Sequence, residues 1–277
     1  MSLSWTPKSA RLIGCLWLAL CLLAGPLCHG ATFVRFTTNL GTFDVELFDD
    51  IMPVTVANFL RYVDSSRYDS TIIHRSTTYN PNTIQIVQGG GFALTGSGLS
   101  YVATDAPIPL ETSGSHLRGT LAMARTNDPN SATSQWFFNC TGNPGLDSNY
   151  AVFGRVVGDQ GLAVLDAMAS VPAYDASAQL GGVFSELPLT QPSLNVSSLI
   201  LVGKVERVSV RVTSFERVEQ GFRINWSTSP AATPVNIERC SDLAGATWEV
   251  ISTAETGGTF TDARPPASKS FYRVVIP

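Results

Sequence analysis

The residues best suited to chemistry in this 277-residue chain fall in a few short blocks: His74-Arg75, Gln88-Gly89-Gly90-Gly91-Phe92, Arg118-Gly119-Thr120-Leu121-Ala122-Met123-Ala124-Arg125, and Ser134-Gln135-Trp136-Phe137-Phe138. An arginine is a permanently charged donor with a planar fork of N–H groups. Glutamine donates and accepts, and glycine lets another backbone or a bound molecule come close. These types offer hydrogen bonds and aromatic surface rather than a nucleophile. As a phosphate loop, Gln88 to Phe92 lacks the Lys-Ser/Thr that holds nucleotide and metal, so a nucleotide site is rejected. Beyond residue 30 only His74 and His116 remain, neither with companions at metal-ligand spacing, and no metal site is expected. A Ser-His-Asp hydrolase would need a nucleophile-elbow motif, which the sequence lacks.

Taken in order, the blocks resemble those lining the groove of the cyclophilin family of peptidyl-prolyl isomerases, from about Thr32 to Val205. The resemblance implies an eight-stranded closed antiparallel barrel with a helix at each open end, no cofactor, and proline-containing polypeptides as partners. Arg75 matches the family's catalytic arginine, and Gln88 the glutamine that holds it and contacts the substrate backbone. Phe137 matches the floor of the proline pocket, Leu146 its wall, and Ile86 the position usually held by methionine. Ala124 and Arg125 match the strand that pairs with the substrate backbone, Gln135 matches the second glutamine of the groove, and Tyr150 stands where many members have histidine.

Several positions depart from the family pattern. Twelve residues separate Arg75 from Gln88, more than is usual, so Ser76 to Thr83 is expected to form an enlarged loop beside the groove. Gln85 or Ile84 replaces the usual pocket phenylalanine, and Gly145 stands where an aromatic residue is common. Retention of Arg75, Gln88, Phe137 and Leu146 favours an isomerase; the departures favour the alternative, a proline-segment binding protein with little or no turnover.

Strand periodicity dominates the elements that must carry these residues. Phe33 to Thr38 and Thr42 to Phe48 alternate around Asn39-Leu40-Gly41, the pattern of a hairpin. Pro53 opens a helix whose Val56, Phe59, Leu60 and Val63 share one face. Further strands are expected near Ile84 to Val87, Thr120 to Arg125, Gln135 to Phe138 and Ala151 to Val157, a second helix at Gln160 to Ala169, and a closing strand at Ser198 to Val202. The fold class is therefore mainly β. From about residue 207 to 277 the pattern is of short strands only, with Trp226 and Trp248 as the core of a small β-sandwich that resembles fibronectin-type modules. Its partner is not legible.

Residues 1–30 read as an export signal: Lys8 and Arg11 precede an apolar run from Leu12 to Ala24, too short to span a bilayer comfortably. The expected domains are thus 1–30, 31–206 and 207–277, with the protein periplasmic or secreted and bound to a membrane only if the N-terminal segment stays uncleaved. Removing residues 1–30 takes away Lys8, Arg11 and no acid, moving the formal charge from -4 to -6. Without any basic cluster, nucleic acid is not an expected partner. Three of five cysteines lie in the signal; Cys140 and Cys240 fall in different expected domains and are read as free or buried thiols.

Overall fold

The computed structural model describes residues 31–78, 84–243, 247–265 and 270–277. The export signal and most of the enlarged loop, Tyr79 to Thr83, lie outside the described residues.

The expected hairpin forms: β1 (Phe33–Thr38) and β2 (Gly41–Leu47) pair with Val34 opposite Val45 and Phe36 opposite Phe43. Alternation puts these four side chains on one buried face. Helix α1 (Pro53–Asp64) starts at its proline and buries Val56, Phe59, Leu60 and Val63, the face read from the sequence. The chain continues through β3 (Thr71–Ile72), β4 (Arg75–Ser76), β5 (Ile86–Gly89), β6 (Phe92–Thr95), β7 (Gly98–Tyr101), β8 (Thr120–Met123), β9 (Trp136–Asn139), β10 (Val152–Val156), α2 (Gly158–Ala169), β11 (Ala173–Tyr174), α3 (Ser177–Leu180), β12 (Leu187–Pro188) and β13 (Leu201–Val218).

Hydrogen-bonded neighbours run β4-β5-β9-β8-β10-β2-β1-β13-β3-β6-β7. No ladder among the described residues joins the two ends of this path, so the sheet is described as open and the expected closure is not established by the ladders. Only Ile73 and His74 separate β3 from β4, and they divide the segment between two neighbours. Ile73 N–H donates to Ile200 O at 3.0 Å, and His74 N–H to Gln88 O at 3.0 Å.

The core is aromatic. Phe36, Phe59, Tyr68, Trp136, Phe138 and Phe153 are fully buried. Phe36 stacks on Phe43 at 5.2 Å between ring centroids and takes the edges of Trp136 and Phe138 at 5.2 and 5.4 Å. The Gln88-Gly89-Gly90 motif is tied to this core: a Cβ on Gly89 would lie 2.6 Å from the Trp136 ring.

Sequence reading missed the β6–β7 hairpin and the β11–β12 pair, both built from short strands with few apolar residues in alternation. It also ended the closing strand too early. β13 runs for 18 residues, pairing with β1 as far as Phe33 opposite Val208 and then, from Ser209 opposite Ser229, with β14 (Gly221–Ser229). The chain finishes with β15 (Val235–Cys240), β16 (Glu249–Glu255), β17 (Thr259–Asp262) and β18 (Phe271–Val275). β17 pairs with β14, and β16-β15-β18 form a separate sheet. Ile224 and Trp226 from one set of strands cluster with Val235 and Ile237 from the other. Trp226 is therefore core, as expected, whereas Trp248 is only half-buried and instead lies under the Arg273 guanidinium, 4.3 Å from its ring centroid. Cys140 and Cys240 are both free and buried.

Because Phe36 is the ring on which Phe43, Phe59, Trp136 and Phe138 converge, Phe36→Ala should cost about 3–5 kcal/mol of stability. Urea unfolding followed by fluorescence checks this; a loss below about 1 kcal/mol would mean that the neighbouring rings close the void.

Candidate active site

Cross-strand register assembles the site. Arg75 on β4 faces Gln88 on β5, Gln88 faces Phe137 on β9, Phe137 faces Ala122 on β8, and Ala122 faces Val152 on β10. Since side chains alternate across a strand, this row shares one face of the sheet, while the intervening Val87, Phe138 and Leu121 point into the aromatic core. Phe137, Ala122 and Val152 of this row, with their neighbours Ile86 and Leu146, make a separate apolar cluster, with Phe48, Ala124 and Tyr150 packed against it.

Over this cluster opens a cavity of about 460 Å³, lined by all nine residues assigned from the sequence: Arg75, Ile86, Gln88, Ala124, Arg125, Gln135, Phe137, Leu146 and Tyr150. Phe137 forms a triangle of rings with His116, stacked at 5.7 Å, and Tyr150, edge-on at 5.6 Å; His116 and Tyr150 are 6.3 Å apart. Of the two candidates for the missing phenylalanine, Ile84 lines the cavity. The Gln85 backbone is clamped by Asn143, accepting at 3.0 Å from its N–H and donating at 3.1 Å to its carbonyl. A Cβ on Gly145 would meet no atom within 4 Å, and Gly145 is not among the residues that line the cavity.

The polar contacts differ from the expected ones at one point. Gln88 Nε2 donates to Gln135 Oε1 at 2.8 Å, while the group gripping Arg75 is Glu186, whose Oε2 accepts from Nε at 2.6 Å. The expectation that Gln88 holds Arg75 is thereby revised: the two are opposite in the ladder, but the amide of Gln88 turns towards β9. Arg125 bonds through its side chain to the carbonyls of Asn149 and Thr126, both at 2.8 Å, and lies over the Tyr150 ring, so its guanidinium is occupied locally. Phe92, which ends the glycine block, also lines the cavity; sequence reasoning missed Glu186 and the lining residues Tyr101 and Val183. Glu186 is more than a hundred residues from Arg75, and nothing in spacing or periodicity connects them.

A model of the cyclophilin type peptidyl-prolyl cis-trans isomerase/CLD family matches residues 33–183. The chain belongs to this family. It is 43% identical over 148 residues to a peptidyl-prolyl cis-trans isomerase of Acinetobacter baylyi, and 41% identical over 148 residues to peptidyl-prolyl cis-trans isomerase A of Dickeya dadantii; each match covers 51% of this chain and 73% of the relative. Peptidyl-prolyl cis-trans isomerase B of Escherichia coli is 39% identical over 148 residues, covering 50% of this chain and 84% of the relative. The matched length of this cyclophilin-type chain carries every assigned site residue; Glu186 and the β14–β18 strands lie beyond it.

Burial, followed by the neighbouring Arg75 charge, pushes the His74 imidazole down to about 4. The unfolded value is about 6.5, so between the two the unfolded chain binds the extra proton. Stability from this group is complete above about pH 6.5 and is lost as pH falls through about 4. His116, also lowered by burial, acts in the same direction. Going from pH 7 to pH 5 should cost wild type about 2 kcal/mol more than it costs His74→Leu. Urea titrations at the two pH values measure this difference, and identical losses in both proteins would show that His74 is not the buried neutral group.

Proposed function

We propose that the cavity beside Arg75 is where this peptidyl-prolyl cis-trans isomerase turns over its substrate, a proline-containing polypeptide. Rotating an X-Pro amide out of conjugation faces a barrier of about 18–20 kcal/mol, and the uncatalysed event takes tens to hundreds of seconds. In the twisted state the nitrogen regains a lone pair and accepts a hydrogen bond that the planar amide cannot. Arg75 supplies the donor. Its bond to the prolyl nitrogen forms only as the amide twists, so it stabilises the transition state over both ground states, and no proton is transferred.

The observation that carries this reading is a single row of side chains in which a guanidinium, a glutamine and an apolar floor follow one another across β4, β5 and β9. The proline ring sits on Phe137 against Leu146 and Ile86, where burial rewards an apolar ring. Gln88 and Gln135, linked to each other, take the flanking peptide groups. Ala124 and Arg125 offer main-chain carbonyls at the end of β8, and Tyr150 closes the far side.

The sheet is taken as the eight-stranded barrel of the family, because the segment from Thr71 to Ser76 bonds to β13 at one end and β5 at the other. Residues 207–277 are taken as a fibronectin-like sandwich that acts as spacer or docking module. The clients are taken to be exported proteins, met in the periplasm or outside the cell, on the strength of the charge and apolar pattern of residues 1–30.

Arg75→Ala should lower turnover of a short X-Pro peptide by about tenfold to a thousandfold. Its fold should hold, because the ion pair with Glu186 is partly exposed and such pairs contribute little. Wild-type turnover in the variant would take Arg75 out of the mechanism.

A second test addresses the domain division. A chain of residues 31–208 keeps the whole β1–β13 ladder and should isomerise a short peptide as the full chain does. Stopping at Val205 removes the partners of Phe33, Val34 and Arg35, and should lower the unfolding midpoint further. If residues 31–208 give a folded but inactive protein, the later strands contribute to the groove and the division is wrong.

A further inference from the structure

We propose that Glu186 is a positioning residue for Arg75, fixing the guanidinium before substrate arrives. The proposal rests on the reading that Arg75 is the donor in the twisted state. It concerns a residue outside the part of the chain matched by the family model.

The geometry is a two-point clamp. The Glu186 carboxylate accepts from Arg75 Nε at 2.6 Å, and its main-chain carbonyl accepts from the N–H of Ser76 at 2.8 Å. Side chain and backbone of one residue therefore grip two consecutive residues of β4. The grip on the side chain is at Nε, the base of the fork, and a guanidinium has terminal amino groups to offer beyond it. A charge-assisted bond of this length is directional as well as strong.

Glu186 is itself held firmly. It lies between Phe184 and Leu187, both buried in a satellite core with Ile72, Phe92, Ala176, Leu189 and Leu199. The Phe184 ring packs on Phe92 at 4.6 Å, and Leu187 pairs with Tyr174. Phe184 O accepts from Ala176 N–H at 3.0 Å. The carboxylate is thus mounted on a packed segment, and its side chain is 22% exposed against 41% for that of Arg75. As a contribution to folding, a pair this exposed is small. Its effect is on orientation: a long side chain anchored in advance does not have to be immobilised when the amide twists.

The test uses the full chain and a short X-Pro peptide. Glu186→Ala should lower kcat about tenfold while KM stays within about twofold, and Glu186→Gln, which keeps an acceptor oxygen at the same reach, should recover most of the loss. In an Arg75→Ala background, Glu186→Ala should have no further effect, which a merely structural role would not give. Wild-type kcat in Glu186→Ala, or an equal loss in both backgrounds, overturns the proposal. Should Glu186→Ala fail to fold, Glu186→Gln in the two backgrounds applies the same test through a smaller loss. The two readings separate cleanly: if Arg75→Ala is slow and Glu186→Ala is not, positioning alone fails; if Arg75→Ala is as fast as wild type, the donor reading fails and positioning with it.

Discussion

The strict alternation of side chains along β5, β9 and β8 is the constraint on which the rest depends. It lets the same few strands serve two masters: Val87, Phe138 and Leu121 complete the aromatic core, and Gln88, Phe137 and Ala122 present the groove on the other side. A slip of one residue would exchange the two sets, burying an amide among rings and exposing a core phenylalanine. The core and the site therefore fix each other. The rigidity of the first, where Phe36 meets Phe43, Trp136 and Phe138, is what holds the second in place.

Gly89 shows how closely the two are joined. Its missing side chain lets the Trp136 ring lie against β5, and the same strand presents Gln88 to the groove. A motif that reads in the sequence as permission for a ligand to approach is occupied, at this position, by the protein's own indole.

Much of this was legible from residue order alone. The β1–β2 hairpin, α1 and α2 follow local periodicities that tertiary packing did not override, whereas Phe137, Leu146 and Gln88 could be placed only through the resemblance to the cyclophilin family. Glu186 could not, since its role arises from a fold-back of the chain over a hundred residues, joined by contacts that leave no periodic trace. The extent of β13 was hidden for a different reason: Val208, Val210 and Val212 continue one alternation, so nothing local marks where its partner changes from β1 to β14. Trp248 was misjudged because a large aromatic side chain reads as core, whereas here it offers its face to a cation.

β13 also bears on how force and motion travel through the molecule. Eighteen residues of strand extend for about 60 Å, with no break between the portion bonded to β1 and the portion bonded to β14. A tether at a junction normally offers a protease an accessible loop and allows two parts to swivel. A continuous strand offers no such loop. The β1 ladder ends at Val208 and the β14 ladder begins at Ser209, so any bend between the two portions is confined to a single peptide unit rather than spread along a linker.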